Sequence, residues 1–520
     1  MKNIFLLLLS ISIFLSCSND AEENSILNPP EVQDGEEMMP EENEEEVPEK
    51  IFDGDVTLLN QNQVNDFGEM QYTSINGFLV ISEIFNSTEP DITDLTPLNT
   101  LNDIQGNLQI SQTENLESLN GLENLSSIGT SLLIFINPAL NSLEGISGIS
   151  GSLEYLTILS NEQLTSLVGL EGFTSVTENM IIDQNDNLIS LSGLDNISSV
   201  GNDLEINSNP ELNSIEALGK LSRVEGSFLI NNNAILSLSS LQNLKSVLGT
   251  FRISFEDDIT SLSGLETLET VGSLDIEFNN NLTSLEGLEN MTEITGNSFL
   301  PSSLTIVGNS SLENLNGLNS LIAISGNIGI SSNSSLISIS GFNNLEVFTE
   351  GDVTISDNPE LAVISGFNNL VNISSSISII RNESLEVVDG FDNLLTTTFR
   401  LSIFGNPLLN SIVGFESLST LGGSLIIRET MLSDFSSLLN ITAIGGDFIV
   451  EENSQLESLN GFKNLEMVEG DYRITSNTIL ANLCAIQNAI ENRNQSSNIE
   501  IIDNLFNPSI QDIIDGNCAQ

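Results

Sequence analysis

The chain of 520 residues has no histidine and no tryptophan, and it has only 12 basic residues against 73 acidic ones. Without histidine, the chain cannot form a Ser-His-Asp triad or a histidine-ligated zinc site. Its formal net charge of −61 repels phosphate backbones, so we expect no nucleic-acid partner. With three tyrosines and no tryptophan, the chain also has little aromatic surface on which sugars could stack.

The first residues have the pattern of an export signal. Lys2 is followed by an apolar run over 4–15, which at about a dozen residues is too short to span a bilayer. The small residue Ser16 in front of Cys17 resembles the lipobox of bacterial lipoproteins, in which the cysteine is diacylated. The resemblance implies a signal peptide over 1–16 and a lipid anchor on Cys17. A plain signal peptide with an incidental cysteine is the alternative.

Residues 17–50 are rich in acidic residues and proline, with Glu44-Glu45-Glu46 as the densest run. Low apolar content and like-charge repulsion predict a disordered, extended tether, and a calcium-binding tail is the alternative. The acidic residues directly after Cys17 resemble the export signal that sends lipoproteins to the outer face of some Gram-negative outer membranes. We therefore expect attachment to the outer membrane through the N-terminal lipid, with the protein exposed at the cell surface.

From about Thr73 onward the chain repeats a pattern of roughly 24 residues, which is typical of a solenoid. A glycine marks the pattern, and most steps between marker glycines are 23 to 25 residues long. The step from Gly287 to Gly317 is longer and predicts an inserted loop near 297–301. The marker glycines are Gly121, Gly145, Gly169, Gly193, Gly264, Gly287, Gly317, Gly341, Gly366, Gly390, Gly414 and Gly461.

Each repeat contains a short alternating apolar segment, such as Leu204-Glu205-Ile206, which predicts a strand with both apolar side chains facing inward. Stacked repeats place these strands in parallel, so the sequence predicts one elongated rod of roughly sixteen coils. Three residues after the strand comes an asparagine, as at Asn209, which can satisfy the backbone groups of a buried turn. We expect these asparagines to form a structural ladder, with a polar ligand-binding track as the alternative.

The repeated pattern L-x-I-x-x-N-x-x-L-x-S-L-x-G-L-x-N-L-x-x-I-x-G resembles the receptor L-domain repeat, a relative of the leucine-rich repeats. The resemblance covers roughly residues 51–480 and implies a mainly β fold, a right-handed parallel β-solenoid with short helical caps. The internalin-type leucine-rich repeat is a close alternative, although it is usually shorter and lacks the G-x-L step before the strand.

Both ends of the rod have the pattern of caps, which a solenoid needs to cover its terminal coils. An opening strand is expected over 54–58, with a short helix over 61–67. Residues 481–520 are expected to form a C-terminal cap, with helical spacing over 483–490 and a second helix that starts at Pro508. In an exported protein, Cys484 and Cys518 are expected to pair as a disulfide.

No catalytic set stands out in this sequence. It contains no Walker loop, no G-x-S-x-G elbow, no Cys-x-x-Cys pair and no calcium loop. We therefore expect a non-enzyme without metal or cofactor. Because some β-helix proteins hydrolyse polysaccharides with paired acids, one enzymatic alternative stays open, carried by carboxylates of neighbouring coils. These are Asp257, Asp258, Asp275 and Glu277.

The expected strand register also places apolar residues on the outside of the rod, and clustered outward apolar residues mark a protein-contact face. We interpret the protein as a monomeric adhesion or binding lipoprotein that presents this face to an extracellular protein or glycan. A structural envelope component is a further alternative. The candidate contact residues are Leu133, Phe135, Leu159 and Ile181, and in later coils Ile380, Phe404, Ile426 and Ile449.

Overall fold

The computed structural model describes residues 49–84, 88–296 and 303–520. The signal peptide, Cys17, nearly all of the expected tether and the insertion near 297–301 lie outside the described residues. Residues 49–520 form one compact unit, a mainly β parallel solenoid of about 18 turns with about 24 residues per turn. The solenoid prediction is thus confirmed, with slightly more turns than the sixteen coils expected.

One strand in every turn belongs to a continuous parallel sheet, which we call the front sheet. Each strand pairs in register with its neighbours, so that Leu204 lies opposite Met180 on one side and Phe228 on the other. Its strands are Val56–Leu58, Leu79–Ser82, Leu108–Ser111, Ser131–Phe135, Tyr155–Leu159, Met180–Asp183, Leu204–Asn207, Phe228–Asn231, Ser246–Ser254, Thr270–Glu277, Ser303–Val307, Asn327–Ser331, Val353–Ser356, Ile377–Ile380, Leu401–Phe404, Leu425–Arg428, Phe448–Glu451, Tyr472–Thr475 and Ile499–Ile502.

Shorter parallel strands form a second row before the front strands, and the long strands Ser246–Ser254 and Thr270–Glu277 run through both rows. The other strands of this second row are Ile51–Phe52, Ser74–Ile75, Asp103–Ile104, Ser127–Ile128, Gly151–Leu153, Phe173–Val176, Ser199–Val200, Arg223–Val224, Glu293–Thr295, Ala323–Ser325, Val347–Thr349, Asn372–Ile373, Thr396–Thr397, Thr420–Leu421, Ala443–Ile444 and Met467–Val468. A third sheet contains only Ser338–Ile339, Val363–Gly366, Val387–Gly390 and Ser411–Val413.

The helices are short. The N-terminal helix α1 spans Gln61–Glu69, close to the expected position, and begins at Asn60, whose side chain accepts a hydrogen bond from the backbone N–H of Gln63. Short 3₁₀ helices follow the front strand in several coils. They are Thr96–Leu98, Glu144–Ile146, Glu216–Lys220, Ser239–Leu241, Asn316–Leu318, Ser436–Leu438, Asn460–Phe462 and Cys484–Ile486.

The apolar residues of each coil line one continuous core. In the front strand Leu204–Asn207 the inward residues Leu204 and Ile206 are fully buried, whereas Glu205 and Asn207 between and after them are half-buried. This alternation is that of a strand with one side in the core and one side out. Because every strand repeats it in register, burial is shared between neighbouring coils and no coil has a core of its own.

The marker glycines lie where two coils come closest. Gly193 has a φ of +113°, and a Cβ built there would lie 1.9 Å from the carbonyl oxygen of Leu167 in the coil before. No L side chain fits this position, since both the backbone conformation and the space exclude it. The backbone N–H of Gly193 donates to the carboxylate of Asp195 at 3.0 Å, which satisfies a group that the tight turn leaves unpaired.

Phenylalanine replaces leucine after the marker glycine in the coils of the third sheet. The rings of Phe342, Phe367, Phe391 and Phe415 are fully buried and stack in sequence, with centroids 4.6, 4.9 and 5.1 Å apart. In two of these coils the positive φ lies at the phenylalanine and not at the glycine before it, with 61° at Phe367 and 67° at Phe391. In the coils with these four phenylalanines, a strand of the third sheet is present and the 3₁₀ turn of other coils is not.

The C-terminal end differs in detail from the expected helical cap. The front sheet continues into it through the strand Ile499–Ile502, which pairs with Tyr472–Thr475. Helix α2 spans Gln487–Glu491 and helix α3 spans Ile510–Ile514. The expectation that the last helix starts at Pro508 is wrong, since Ser509 caps α3 through a reciprocal pair of hydrogen bonds with Asp512 and leaves the proline outside.

The disulfide between Cys484 and Cys518 is present, as the sequence predicts. It ties the last residues of the chain to the coil that begins the cap, across a separation of 34 residues. Cys518 is buried, so the bridge is part of the core of the cap and not a surface link.

Replacing both cysteines with alanine should lower the free energy of unfolding of the cap. A loop of this length predicts a loss of about 3–4 kcal/mol, because the unfolded chain regains the freedom that the bridge removes. Urea unfolding of the wild type with and without reductant should show the same loss. The double variant should be insensitive to reductant, and two reactive thiols in the native wild type would contradict the prediction.

Candidate functional site

A row of buried asparagines follows the front strands. The backbone N–H and the Nδ2 of Asn185 donate to the Oδ1 of Asn209 at 3.0 and 3.2 Å, and the same Nδ2 donates to the carbonyl of Ile158 at 3.0 Å. The side chains with no solvent exposure are those of Asn137, Asn161, Asn185, Asn209, Asn279, Asn309, Asn333, Asn358, Asn382, Asn406, Asn453 and Asn477. Since their amides bind one another and the backbone, the row is a structural ladder and not a ligand-binding track.

The ladder holds a strained turn in place. The residue before each ladder position takes a left-handed backbone, with φ of 55° at Gln184 and 54° at Ser208. A non-glycine residue in this conformation costs roughly 1–2 kcal/mol. The hydrogen bonds of the following asparagine connect this turn to the coils before and after it, so the chain leaves every front strand at the same angle.

Replacing Asn209 with leucine should destabilise the solenoid, because it removes the acceptor of the backbone N–H of Asn185 and the side-chain donor to the carbonyl of Ile182. Each buried group left unpaired costs about 1–3 kcal/mol, so a loss of several kcal/mol is expected in urea unfolding. Asn213→Leu is the matched control, since Asn213 lies in the same coil and is exposed. An equal effect of both variants would contradict a structural role specific to the ladder.

Three ladder positions have other residues. Thr113 and Thr430 donate their hydroxyl groups to the Oδ1 of Asn137 and Asn453, each at 2.7 Å. Glu256 is the third. Its Oε1 accepts from the backbone N–H and the Nδ2 of Asn233 at 2.9 and 2.8 Å.

Glu256 is a buried carboxyl group without an ion pair among the described residues. It has no solvent exposure, and burial raises its pKa from 4.5 to about 7, with a smaller contribution from the charge of Asp258. Hydrogen bonds from Asn233 and Ile235 favour the carboxylate but do not compensate for burial. Glu256 therefore makes this coil sensitive to pH.

The stability of the solenoid should depend on pH through Glu256. A carboxyl group with a higher pKa in the folded state binds its proton more tightly when folded, so its contribution is complete below about pH 4.5 and is lost as the pH rises to about 7. Glu256→Gln cannot ionise and does not lose this contribution. As the pH rises from 4.5 to 7, the free energy of unfolding of the variant should therefore increase by about 3 kcal/mol relative to that of the wild type. The measurement is urea unfolding at several pH values.

The control for this pH series is Glu162→Gln, which removes an exposed carboxylate. Its pH series shows how the loss of an exposed carboxylate affects the free energy of unfolding, and the pH dependence of Glu256→Gln is compared with it. A difference between Glu256→Gln and wild type that stays constant across this range would show that folding does not raise the pKa of Glu256 and contradict the prediction.

The eight candidate contact residues all lie on the outward side of the front sheet and are half-buried. Leu133, Phe135, Leu159 and Ile181 form what we call the first apolar patch, on three adjacent strands. The register joins them, because Phe135 lies opposite Leu159 and Thr157 lies between Leu133 and Ile181. The inward neighbours on the same strands are fully buried, so the outward assignment does not arise from a slip in register.

The later group forms a second apolar patch, made of Ile380, Phe404, Ile426 and Ile449. Ile380 lies opposite Phe404, and Ile426 lies opposite Ile449, on four adjacent strands. Tyr155 adds an aromatic ring to the outward side near the first patch, where it is 41% exposed. The two patches are separated by turns whose outward residues are mainly polar or charged.

Three of the four carboxylates considered for an enzyme have partners, and Asp258 is exposed in the same turn as Asp257. Asp275 is buried and accepts from Arg252 at 2.8 Å, and Glu277 lies 3.9 Å from the same guanidinium group. Burial raises the pKa of Glu277 in spite of that arginine. Asp257 accepts from the side chain of Asn280 at 2.9 Å in the turn. Two of these acids thus lie on the front sheet around one arginine, and a third is hydrogen-bonded in the turn that follows.

Two sets of structural residues were not predicted from the sequence. Asn504 and Asn507 extend the ladder into the cap, since Asn477 donates to Asn504 and Asn504 donates to Asn507, each bond at 3.0 Å. The sequence does contain a signal for Asn504, because it follows Ile499-Glu-Ile501 at the same spacing as the ladder asparagines follow their strands in the other coils. A second row of exposed asparagines donates to backbone carbonyls of the preceding coil, and its members include Asn124, Asn196, Asn243, Asn290, Asn344, Asn369, Asn393, Asn440 and Asn464.

Residues 245–369 match a family model. The family is the receptor L domain. The expected resemblance to L-domain repeats is therefore confirmed over these coils, which include the long strand Ser246–Ser254 and the buried rings of Phe342 and Phe367. No curated protein matches the chain.

Two solved structures of leucine-rich-repeat type are similar to the chain. One is a TLR13 complex with single-stranded RNA, at 14% identity over 85% of this chain and 83% of the other, with a TM-score of 0.26. The other is the functional domain of InlJ from Listeria monocytogenes, which includes a cysteine ladder, at 13% identity over 80% and 75%, also with a TM-score of 0.26. At these values neither structure supports an argument about this chain.

Two other kinds of site have no support in the described part of the chain. None of its helices is both long enough and apolar enough to cross a membrane. Within the same ranges, no three cysteine, aspartate or glutamate side chains are grouped so that they could hold a metal ion. The candidate functional surface is the outward side of the front sheet, where apolar side chains lie in register on adjacent strands.

Proposed function

We propose that the protein is a non-catalytic binding protein of the cell surface, which uses the outward side of the front sheet to recognise an extracellular protein or glycan. The observation that carries the proposal is the placement of apolar side chains in register on adjacent strands, at two separate patches. A rigid, flat sheet with partly exposed apolar side chains provides the desolvated centre that protein interfaces need. The match to a receptor L domain supports a recognition role for the fold.

The proposal includes a location. A lipid on Cys17 would hold the chain to the outer membrane, and the acidic residues up to 50 would extend the solenoid away from it. The strong negative charge would keep neighbouring copies apart, consistent with a monomer. These statements follow from the sequence pattern at the N-terminus.

Phe135→Ser together with Phe404→Ser should weaken binding to the ligand without unfolding the solenoid, because both rings are half-buried on the outward side. Truncation of an aromatic anchor in an interface costs about 2 kcal/mol or more, so a loss of roughly thirtyfold is expected. The measurement is pull-down of surface extracts with residues 49–520, followed by affinity measurement on the captured ligand and by attachment of cells that carry each variant.

The matched control is Phe255→Ser with Phe278→Ser. These rings are 51% and 40% exposed and stack on each other in the turn that follows the front strands, so the control makes the same two substitutions outside the candidate face. Equal binding by the front-sheet variant and the wild type would end the proposal. Hydrolysis of a glycan by the wild type would favour the enzymatic alternative.

A further inference from the structure

The first apolar patch is bordered by two carboxylates on the same surface. Asp183 lies opposite Leu159 in the register of the front sheet, and Glu205 lies opposite Ile181. Both carboxylates are half-buried. The patch therefore combines an apolar centre with an acidic edge, in the space of four adjacent strands.

These two carboxylates lack a compensating cation. Burial raises the pKa of both, and the charges of Asp203 and Asp183 raise that of Glu205 further. The Oδ1 of Asp183 is buried and has no hydrogen-bond partner. The sequence explains the lack of cations, because no lysine or arginine lies between Lys50 and Lys220, whereas aspartate and glutamate recur throughout that range.

The second apolar patch has a different electrostatic surrounding. Arg428 lies opposite Phe404 and Arg473 lies opposite Ile449, and both arginines are paired with acids. Arg428 contacts Glu452 at 3.4 Å, and Arg473 lies 3.7 Å from Glu451. The acids around the second patch thus have arginine partners, whereas within the described ranges no ion pair is formed by Asp183 or Glu205 at the edge of the first.

We propose that the first apolar patch, with Asp183 and Glu205 at its edge, docks a basic amphipathic segment of a partner protein. Apolar side chains of that segment would cover Leu133, Phe135, Leu159 and Ile181, and its lysine or arginine side chains would pair with the two carboxylates. A partly buried carboxylate gains more from such a pair than an exposed one, because screening by water is weaker. This inference rests on the proposed function and names the class of partner for one half of the surface.

A synthetic peptide made only of leucine and lysine, with leucines at helical spacing, is the probe. The test measures its affinity for the purified full-length chain in detergent, for the wild type and for Asp183→Asn with Glu205→Gln. We expect the variant to bind about tenfold more weakly, the equivalent of two partly buried ion pairs. Raising the salt concentration should reduce the affinity of the wild type more than that of the variant.

The matched control is Asp186→Asn with Glu162→Gln, which removes the same charge from neighbouring turns. Both residues are exposed in the turns after the front strands and lie away from the patch, so the affinity should change less than about twofold. If the two variants lose affinity equally, or if oligolysine binds as tightly as the leucine-containing peptide, general attraction to a polyanion explains the binding and the proposal fails. No binding to the wild type also overturns it.

Further measurements separate folding and the proposed function from this inference. If the double variant does not fold, Glu205→Gln alone replaces it, with its folding checked by thermal unfolding. This single variant should still bind the peptide more weakly than the wild type does. If Phe135→Ser with Phe404→Ser abolishes capture of a surface ligand while the wild type does not bind the peptide, the recognition surface stands and the basic partner is wrong. Equal capture by that variant contradicts the proposed function itself, whatever the peptide does.

Discussion

The structure depends on the satisfaction of backbone hydrogen bonds at a buried turn. After each front strand the chain must reverse direction inside a stack of coils, where water cannot supply the missing partners. The asparagine three residues after the last inward strand residue supplies them, and it does so from one coil to the next, as between Asn185 and Asn209. A left-handed residue directly before it sets the angle. Leucines fill the interior, but the amide ladder determines how coils are placed on one another.

The parts of the fold that follow this constraint could be predicted from the sequence. The period, the inward strand residues and the row of asparagines all recur because every coil must satisfy the same contacts as its neighbours. The disulfide and the N-terminal helix were predictable for a similar reason, since exposed ends of a stack need cover. The outward register was predictable as well, because a strand with alternating burial fixes which residues face out.

Features that belong to single coils were harder to predict. The third sheet arises where Phe342, Phe367, Phe391 and Phe415 stack, and the size of a core side chain does not by itself indicate a change from a 3₁₀ turn to a strand. The raised pKa of Glu256 depends on complete burial, which the sequence does not contain. The last strand, Ile499–Ile502, was not predicted, although Asn504 follows it at the spacing of the repeat. The segments on either side of it have helical patterns, and these led to the prediction of a helical cap.

The same constraint leaves the outward residues free to differ. Ladder positions and inward positions are nearly invariant from coil to coil, whereas the outward positions change from Leu133 to Glu205 to Arg252 along the rod. A substitution there alters neither the core nor the hydrogen bonds of the turn, so differences between coils accumulate on this side. That is why two apolar patches can lie on the same side of the sheet and differ in whether their neighbouring carboxylates have arginine partners. Since each coil contacts only its neighbours, one patch can change its partner without any structural effect on the other.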